Sequence, residues 1–182
     1  YSVAKHHKGT YGNITAYDTA LGWRYPNPQL EKLFPLEAMG ETAENLAEKY
    51  SITREEQDLF ALRSHRKSVE AQRKNIFANE IIPVEIISGK EKNIVAHDEG
   101  PRDDTTMEKL ATLSPAFRKN GTVTAGNSST LNDGAAAVFI VSEKKIKEYN
   151  VTPVARIVAT GVAGVDPRYM GIGPVPATQK AL

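Results

Sequence analysis

The sequence predicts an α/β protein in which a peripheral α+β region is joined to strands of a larger α/β core. Three observations predict it. A strongly capped amphipathic helix begins after Thr53. A hairpin pattern follows over residues 80–97. From Gly121 the chain turns small and polar, then enters Ala135-Ala-Ala-Val-Phe-Ile-Val141. A continuous apolar run of that kind suits a strand buried on both faces.

Residues 1–38 mix Gly, Pro, Asn and aromatics without a sustained period. Pro26 and Pro28 both disfavour helix before them, so Trp23-Arg-Tyr-Pro-Asn-Pro28 reads as an ordered loop. The first helix runs from about Glu41 to Tyr50, with Ala43, Leu46 and Ala47 on one face. In the next helix Thr53 and Glu56 form a capping box, Glu55, Glu56 and Asp58 fill the first turn, and Arg66, Lys67, Arg73 and Lys74 come late. Leu59, Leu62 and Val69 fall near one face, with Phe60 at its edge. Its charges sit where the helix dipole favours them and are expected on a solvated face.

Glu80 to Ile87 reads as a strand whose Pro83 removes a ladder donor, and Asn93 to His97 as its hairpin partner. Residues 98–105 form a polar loop, and a helix starts near Thr106 and ends before Pro115. After the apolar run come a short basic helix, Glu143 to Tyr149, and a second buried strand, Val154 to Thr160. Ala177 to Leu182 looks like the start of another helix, and a chain that begins without Met and stops there reads as an excerpt.

Composition narrows the function. The 182 residues carry 23 basic and 22 acidic side chains, a net charge of +1. That balance points to neither nucleic acid nor an anionic membrane as partner. No apolar stretch reaches the roughly eighteen residues of a membrane span. Cysteine is absent, which removes disulfides, thiolate metal sites and thiol nucleophiles from this chain. The adjacent His6 and His7 lack a carboxylate at ligand spacing and read as a solvated pair, so no metal site is expected.

The window most suggestive of a site is Gly121-Thr-Val-Thr-Ala-Gly-Asn-Ser-Ser-Thr-Leu-Asn-Asp-Gly134. Small residues let a ligand approach the backbone, and hydroxyls and amides can bond to it. A tight turn capped by Asx and Ser/Thr side chains explains the same residues equally well. It is neither a Walker loop nor a dinucleotide fingerprint.

Thr122 to Ala137 strongly resembles the Thr-Val-Thr-Ala-Gly-Asn-Ala-Ser-Gly-x-Asn-Asp-Gly-Ala-Ala-Ala signature of the thiolase family. Met39-Gly-x-Thr-Ala-Glu-Asn45, Ser51-Ile-x-Arg54-x-x-Gln-Asp58-x-Phe-Ala61 and Met170-Gly-Ile-Gly-Pro-Val-Pro-Ala177 match in the family's order. Asp18-Thr-x-x-Gly22-Trp-Arg-x-x-Asn27-Pro28 further looks like the degradative 3-oxoacyl-CoA and 3-oxoadipyl-CoA members. The resemblance implies a thiolase-like α/β fold: residues 1–121 as the loop domain covering coenzyme A, 122–150 as the end of the N-terminal core half, and 151–182 as the start of the C-terminal half. It implies a cytoplasmic homo-oligomer, a dimer or tetramer, moving an acyl group between 3-oxoacyl-CoA and CoA through an acyl-cysteine. It implies no cofactor, CoA and acyl-CoA being substrates.

In the family the nucleophilic cysteine precedes this region, and the second cysteine and oxyanion groups follow it. No catalytic residue is therefore expected here, and the chain alone is expected to be inactive. The binding residues carry over by motif. Arg102 matches an arginine at the adenine and phosphate end of CoA, with a surface ion pair to Asp103 or Asp104 as the ordinary alternative. Met39 matches a methionine beside the pantetheine and acyl tunnel, against simple core filling. Phe117 matches an aromatic wall of the site, against a core role. Ser129 matches a serine bonding the pantetheine amide, Ala125 lines the same channel, and Leu30 lines the adenine side. Thr130 stands where the family often has glycine, Ala38 where short-chain biosynthetic members have histidine, and Lys109 where some members have serine. A non-catalytic CoA- or lipid-binding module, or an oligomerisation piece, are the competing expectations.

Overall fold

The computed structural model describes the backbone of residues 2–4 and 15–17, and residues 23 and 26–182 with their side chains. His6, His7 and the Asp18–Gly22 part of the loop motif lie outside the described residues. The chain divides into two compact units, 1–130 and 131–182.

In the first unit, β1 (Ser2–Ala4) pairs antiparallel with β2 (Thr15–Tyr17). A short α1 (Pro28–Glu31) that the sequence reading did not include begins on Pro28, a residue suited to a first helical turn, with the Asn27 side chain accepting from Gln29 N. Helix α2 spans Met39–Tyr50 and ends on Ser51 in the left-handed region. Helix α3 spans Arg54–Arg73 and carries the capping box: Thr53 Oγ1 accepts from Glu56 N, and Glu56 accepts from Thr53 N. These two N–H groups would otherwise be orphans of the first turn.

The buried faces of both helices are more polar than hydrophobic period alone predicts. On α2 the buried residues are Thr42, Glu44, Asn45 and Ala47. On α3 they are Asp58, Leu62 and Val69, while Leu59 and Phe60 are exposed. The expected apolar face is thus rotated, and the charge pattern is not wholly solvated, because Asp58 is only 2% exposed. The cause is a partner that period counting cannot see: a polar loop from 65 to 79 residues away packs on these faces.

The hairpin forms as β3 (Val84–Ser88) and β4 (Glu91–Val95), closed by the Ser88–Glu91 pair with Gly89 at φ +63°. Pro83 lies just before β3, where its missing N–H breaks no ladder bond. Helix α4 (Met107–Ala111) is capped by Thr106. Among the unit's described residues the buried apolar side chains are Ala47, Leu62, Val69, Leu110 and Val123.

The second unit contains α5 (Glu143–Tyr149), capped by Ser142, a 3-10 turn (Pro167–Ile172) and α6 (Pro174–Ala181). The two strands expected at 135–141 and 154–160 do not form: both segments are non-regular and exposed. Val138 is 85% and Phe139 83% exposed. A strand needs a neighbour to complete its ladder, and neither segment pairs with one among the described residues. Among those residues no helix is long and apolar enough to cross a membrane.

Candidate functional site

The polar window 121–130 is held by side chains from both long helices. Glu44, on α2, accepts from Thr122 N at 2.8 Å, from Val123 N at 2.8 Å and from the Thr122 hydroxyl at 3.0 Å. Burial pushes the Glu44 carboxyl up, but the N–H groups of Val123 and Thr122, the Thr122 hydroxyl and the Arg118 charge together outweigh it and hold it below its ordinary value. Helix α3 supplies the second hold. Asp58 accepts from Arg54 Nε at 2.8 Å and from Asn127 Nδ2 at 2.9 Å. Arg54 also donates to the carbonyls of Leu110 and Leu113, tying α4 into the network. Gln57 reaches the Thr122 hydroxyl at 2.9 Å.

Within the window, Asn127 Oδ1 accepts from Thr124 N, Thr124 Oγ1 accepts from Gly126 N, and Ser128 Oγ donates to Thr124 O. The Asx and Ser/Thr capping that the sequence allowed is therefore present. Thr124 is wholly buried, whereas Ala125 and Ser129 are exposed. The turn chemistry accounts for Thr124, Asn127 and Ser128, and leaves Ala125 and Ser129 facing outward on a fixed backbone.

The segment just before the window, 115–118, is pinned beside it. Pro115 and Thr124 form an antiparallel bridge, and Ala116 N donates to Val123 O. Arg118 donates to Glu41 and to Asn45 Oδ1, with Glu48 further off at 3.6 Å. The bond to Glu41 leads in raising the Arg118 pKa above its ordinary value. Phe117 sits between these anchors, and its ring lies against Gly40 on α2, next to Met39. Met39 is 70% and Phe117 42% exposed. Both therefore stand at the surface and neither fills the core.

Arg102 is exposed on the loop before α4. Its backbone N donates to His65 Nδ1 at 3.1 Å, which ties the loop to α3. The ordinary alternative for this residue was an ion pair with Asp103 or Asp104. Instead Asp103 pairs with Arg73, and Asp104 with Lys109 at 2.7 Å. Lys109 pulls the Asp104 pKa down most strongly, and Arg102 adds a weaker pull. The side chain of Arg102 borders a cleft of about 240 Å³ with Arg66, Val69, Glu70, Arg73 and Asp103. The same loop comes close to the window, a side chain built on Gly100 lying 3.7 Å from Thr130 Oγ1.

The structure thus sets Phe117 on Gly40, the residue after Met39, and places Ala125 and Ser129 on one loop with the Arg102 loop beside it. Leu30 is exposed on α1 and is held by its own turn, its carbonyl accepting from Leu33 and Phe34 N. Among the described residues no hydrogen bond joins that turn to the other five. Sequence reading missed the role of Glu44, Asp58 and Asn127. Two signals pointed to them: Glu41, Glu44, Asn45 and Glu48 recur at helical spacing on α2, and Asp58 stands four residues after Arg54.

The family profile "Thiolase, N-terminal domain" matches residues 10–144. The chain is 49% identical over 168 residues to the 3-oxoadipyl-CoA/3-oxo-5,6-dehydrosuberyl-CoA thiolase of Escherichia coli K12, covering 91% of this chain and 42% of that protein. It is 54% identical over 145 residues to a probable acetyl-CoA acyltransferase of Staphylococcus aureus, covering 79% of this chain and 37% of that protein. Among solved structures, acetyl-CoA acetyltransferase of Bacillus anthracis superposes with a TM-score of 0.80 at 44% identity, over 100% of this chain and 45% of that one. Human mitochondrial 3-ketoacyl-CoA thiolase gives 0.80 at 42% identity, over the same shares. The chain spans less than half the length of each of these relatives.

Proposed function

Because the chain belongs to the thiolase family, we propose that it is the CoA-holding part of an enzyme that moves an acyl group between a 3-oxoacyl-CoA and CoA. The observation that carries this reading is the pattern of exposure around the braced window. Met39, Arg102, Phe117, Ala125 and Ser129 are all exposed, Ala125 within the loop that buried Glu44 and Asp58 hold and Arg102 on the loop that His65 ties to α3. Binding residues fixed in advance lose less entropy when the ligand arrives.

The chemistry divides accordingly. Acyl transfer through an acyl-cysteine needs a thiolate nucleophile and a polarised carbonyl. With no cysteine, these 182 residues contribute grip in place of nucleophile. The Arg102 guanidinium takes the phosphate and adenine end, where it can pair with phosphate and stack on a purine. The Ser129 hydroxyl bonds a pantetheine amide beside Ala125. Met39 and Phe117 form an apolar ledge for the thioester arm, and Leu30 lines the adenine side. The enzyme works as a cytoplasmic homo-oligomer on acyl-CoA and CoA, with no further cofactor.

Calorimetric titration of CoA into the 182-residue chain tests the reading. Weak binding is expected, because these contacts are only part of a pocket. Arg102→Ala should weaken it roughly tenfold, the loss of a charge-assisted bond of about 1.5–3 kcal/mol less some solvent compensation. No binding at millimolar CoA, or binding indifferent to both Arg102→Ala and Phe117→Ala, would remove the CoA assignment. A dissociation constant on the order of 1 μM or below would contradict the claim that the grip is partial.

A further inference from the structure

We propose that Gly40 is a positioning residue, the one that keeps the Phe117 ring seated on α2 and out of the path beside Met39. The proposal rests on reading Phe117 as a wall of the CoA site. Gly40 is the second residue of α2, and a helical glycine costs about 0.5–1 kcal/mol relative to alanine. What it provides here is space. A Cβ built on Gly40 would overlap Cγ, Cδ1 and Cδ2 of Phe117, so those three ring atoms sit directly over its Cα. One side of the ring is covered by the helix, and the ring remains 42% exposed.

The neighbours decide what a methyl at this position would do. Phe117 cannot yield by moving its backbone, because Ala116 N is bonded to Val123 O and Arg118 is held by Glu41 and Asn45. Helix α2 cannot retreat, since Glu44 clamps Thr122 and Val123. The ring would have to swing outward by about 1 Å or more before carbon–carbon contact returned to its ~3.5–4.0 Å optimum. Outward is the exposed side of the ring, and Met39, the residue before Gly40, is itself 70% exposed. A missing side chain on α2 therefore sets the width available to an extended thioester arm between Met39 and Phe117.

The test compares Gly40→Ala, Phe117→Leu, the double variant and Phe117→Ala in the 182-residue chain. CoA and acetyl-CoA affinities are read by ligand-observed NMR, fold by far-UV circular dichroism, and ring position by the Gly40 α-proton shifts. In the unsubstituted chain those protons should lie upfield, under the ring current, and return to ordinary values in Phe117→Leu. Gly40→Ala should weaken binding about tenfold, or 1.4 kcal/mol, with helix content kept or slightly raised. In the Phe117→Leu background the same glycine substitution should cost less than about twofold, the coupling expected of two groups in contact.

Binding unchanged in Gly40→Ala, or the same loss in both backgrounds, overturns the proposal. The underlying reading fails separately, if Phe117→Ala leaves CoA affinity untouched. Where Phe117→Ala weakens binding and Gly40→Ala does not, only the role of Gly40 is lost. If Gly40→Ala alone does not fold, the double variant decides: recovered fold and binding support the proposal, and failure to recover them overturns it.

Discussion

The polar window 121–128 and the apolar run 135–141 are buried in the reverse of the order their compositions suggest. Thr124 is wholly buried and Val123 nearly so, while Val138, Phe139 and Ile140 lie open. The difference lies in partners. The polar window meets Glu44, Asp58 and Gln57 and folds its own Asn127 back on Thr124 N, which satisfies its polar groups, so burial costs little. The apolar run finds no strand to pair with among the described residues, and a lone strand cannot bury its N–H and C=O groups without penalty. Hydrophobicity supplies the drive to bury, but hydrogen-bond partners decide which segment can be buried.

The most severe way to break this contrast is to remove a buried carboxylate. Asp58→Ala leaves the partly buried Arg54 without its buried partner and Asn127 without its acceptor. It should cost about 3–5 kcal/mol, the range for breaking a buried pair, measured by urea unfolding. A loss under 1 kcal/mol would mean that the polar window is not held from α3.

Next in size is Glu44→Gln, which keeps the shape but turns an NH₂ toward backbone donors. A cost of about 1–3 kcal/mol is expected. Its pH signature follows from the lowered carboxyl pKa. A depressed folded pKa adds stability above the ordinary carboxylate value, and that stability is lost as pH falls through the folded value. Acid unfolding below about pH 4.5 should therefore be shallower in Glu44→Gln than in the parent. Equal slopes would show that the Glu44 charge is not what the two N–H groups hold.

A smaller effect is expected at the start of α3. Thr53→Ala removes the hydroxyl that accepts from Glu56 N and should cost about 1 kcal/mol, visible as earlier amide exchange in the first turn. The smallest is Ile140→Lys, in the exposed run. It should leave the unfolding of the first unit within about 0.5 kcal/mol, and reduce any self-association seen by sedimentation. If it destabilised that unit as much as Thr53→Ala does, the two segments would not differ in the way described.

Much of the fold could be read locally. The capping box at Thr53, the hairpin around Gly89, the Thr106 and Ser142 caps and the terminal helix depend on residues within a few positions of one another. The residues proposed to bind CoA come from motif resemblance; of them Ala125 and Ser129 lie in the window and Phe117 lies beside it. The bracing residues were not found, because Glu44 and Asp58 act on chain 78 and 69 residues away. A charged side chain on a helix looks the same in sequence whether its partner is water or a distant N–H.

By itself the sequence determined the family, the capped starts of α3, α4 and α5 and the absence of a thiol, because each rests on residue identity or on short-range geometry. Tertiary structure alone decided that Asp58 is buried, that Phe117 rests on Gly40, and that the most apolar run stays exposed. Those outcomes depend on which distant groups meet, and a linear pattern of residue types does not record the meeting.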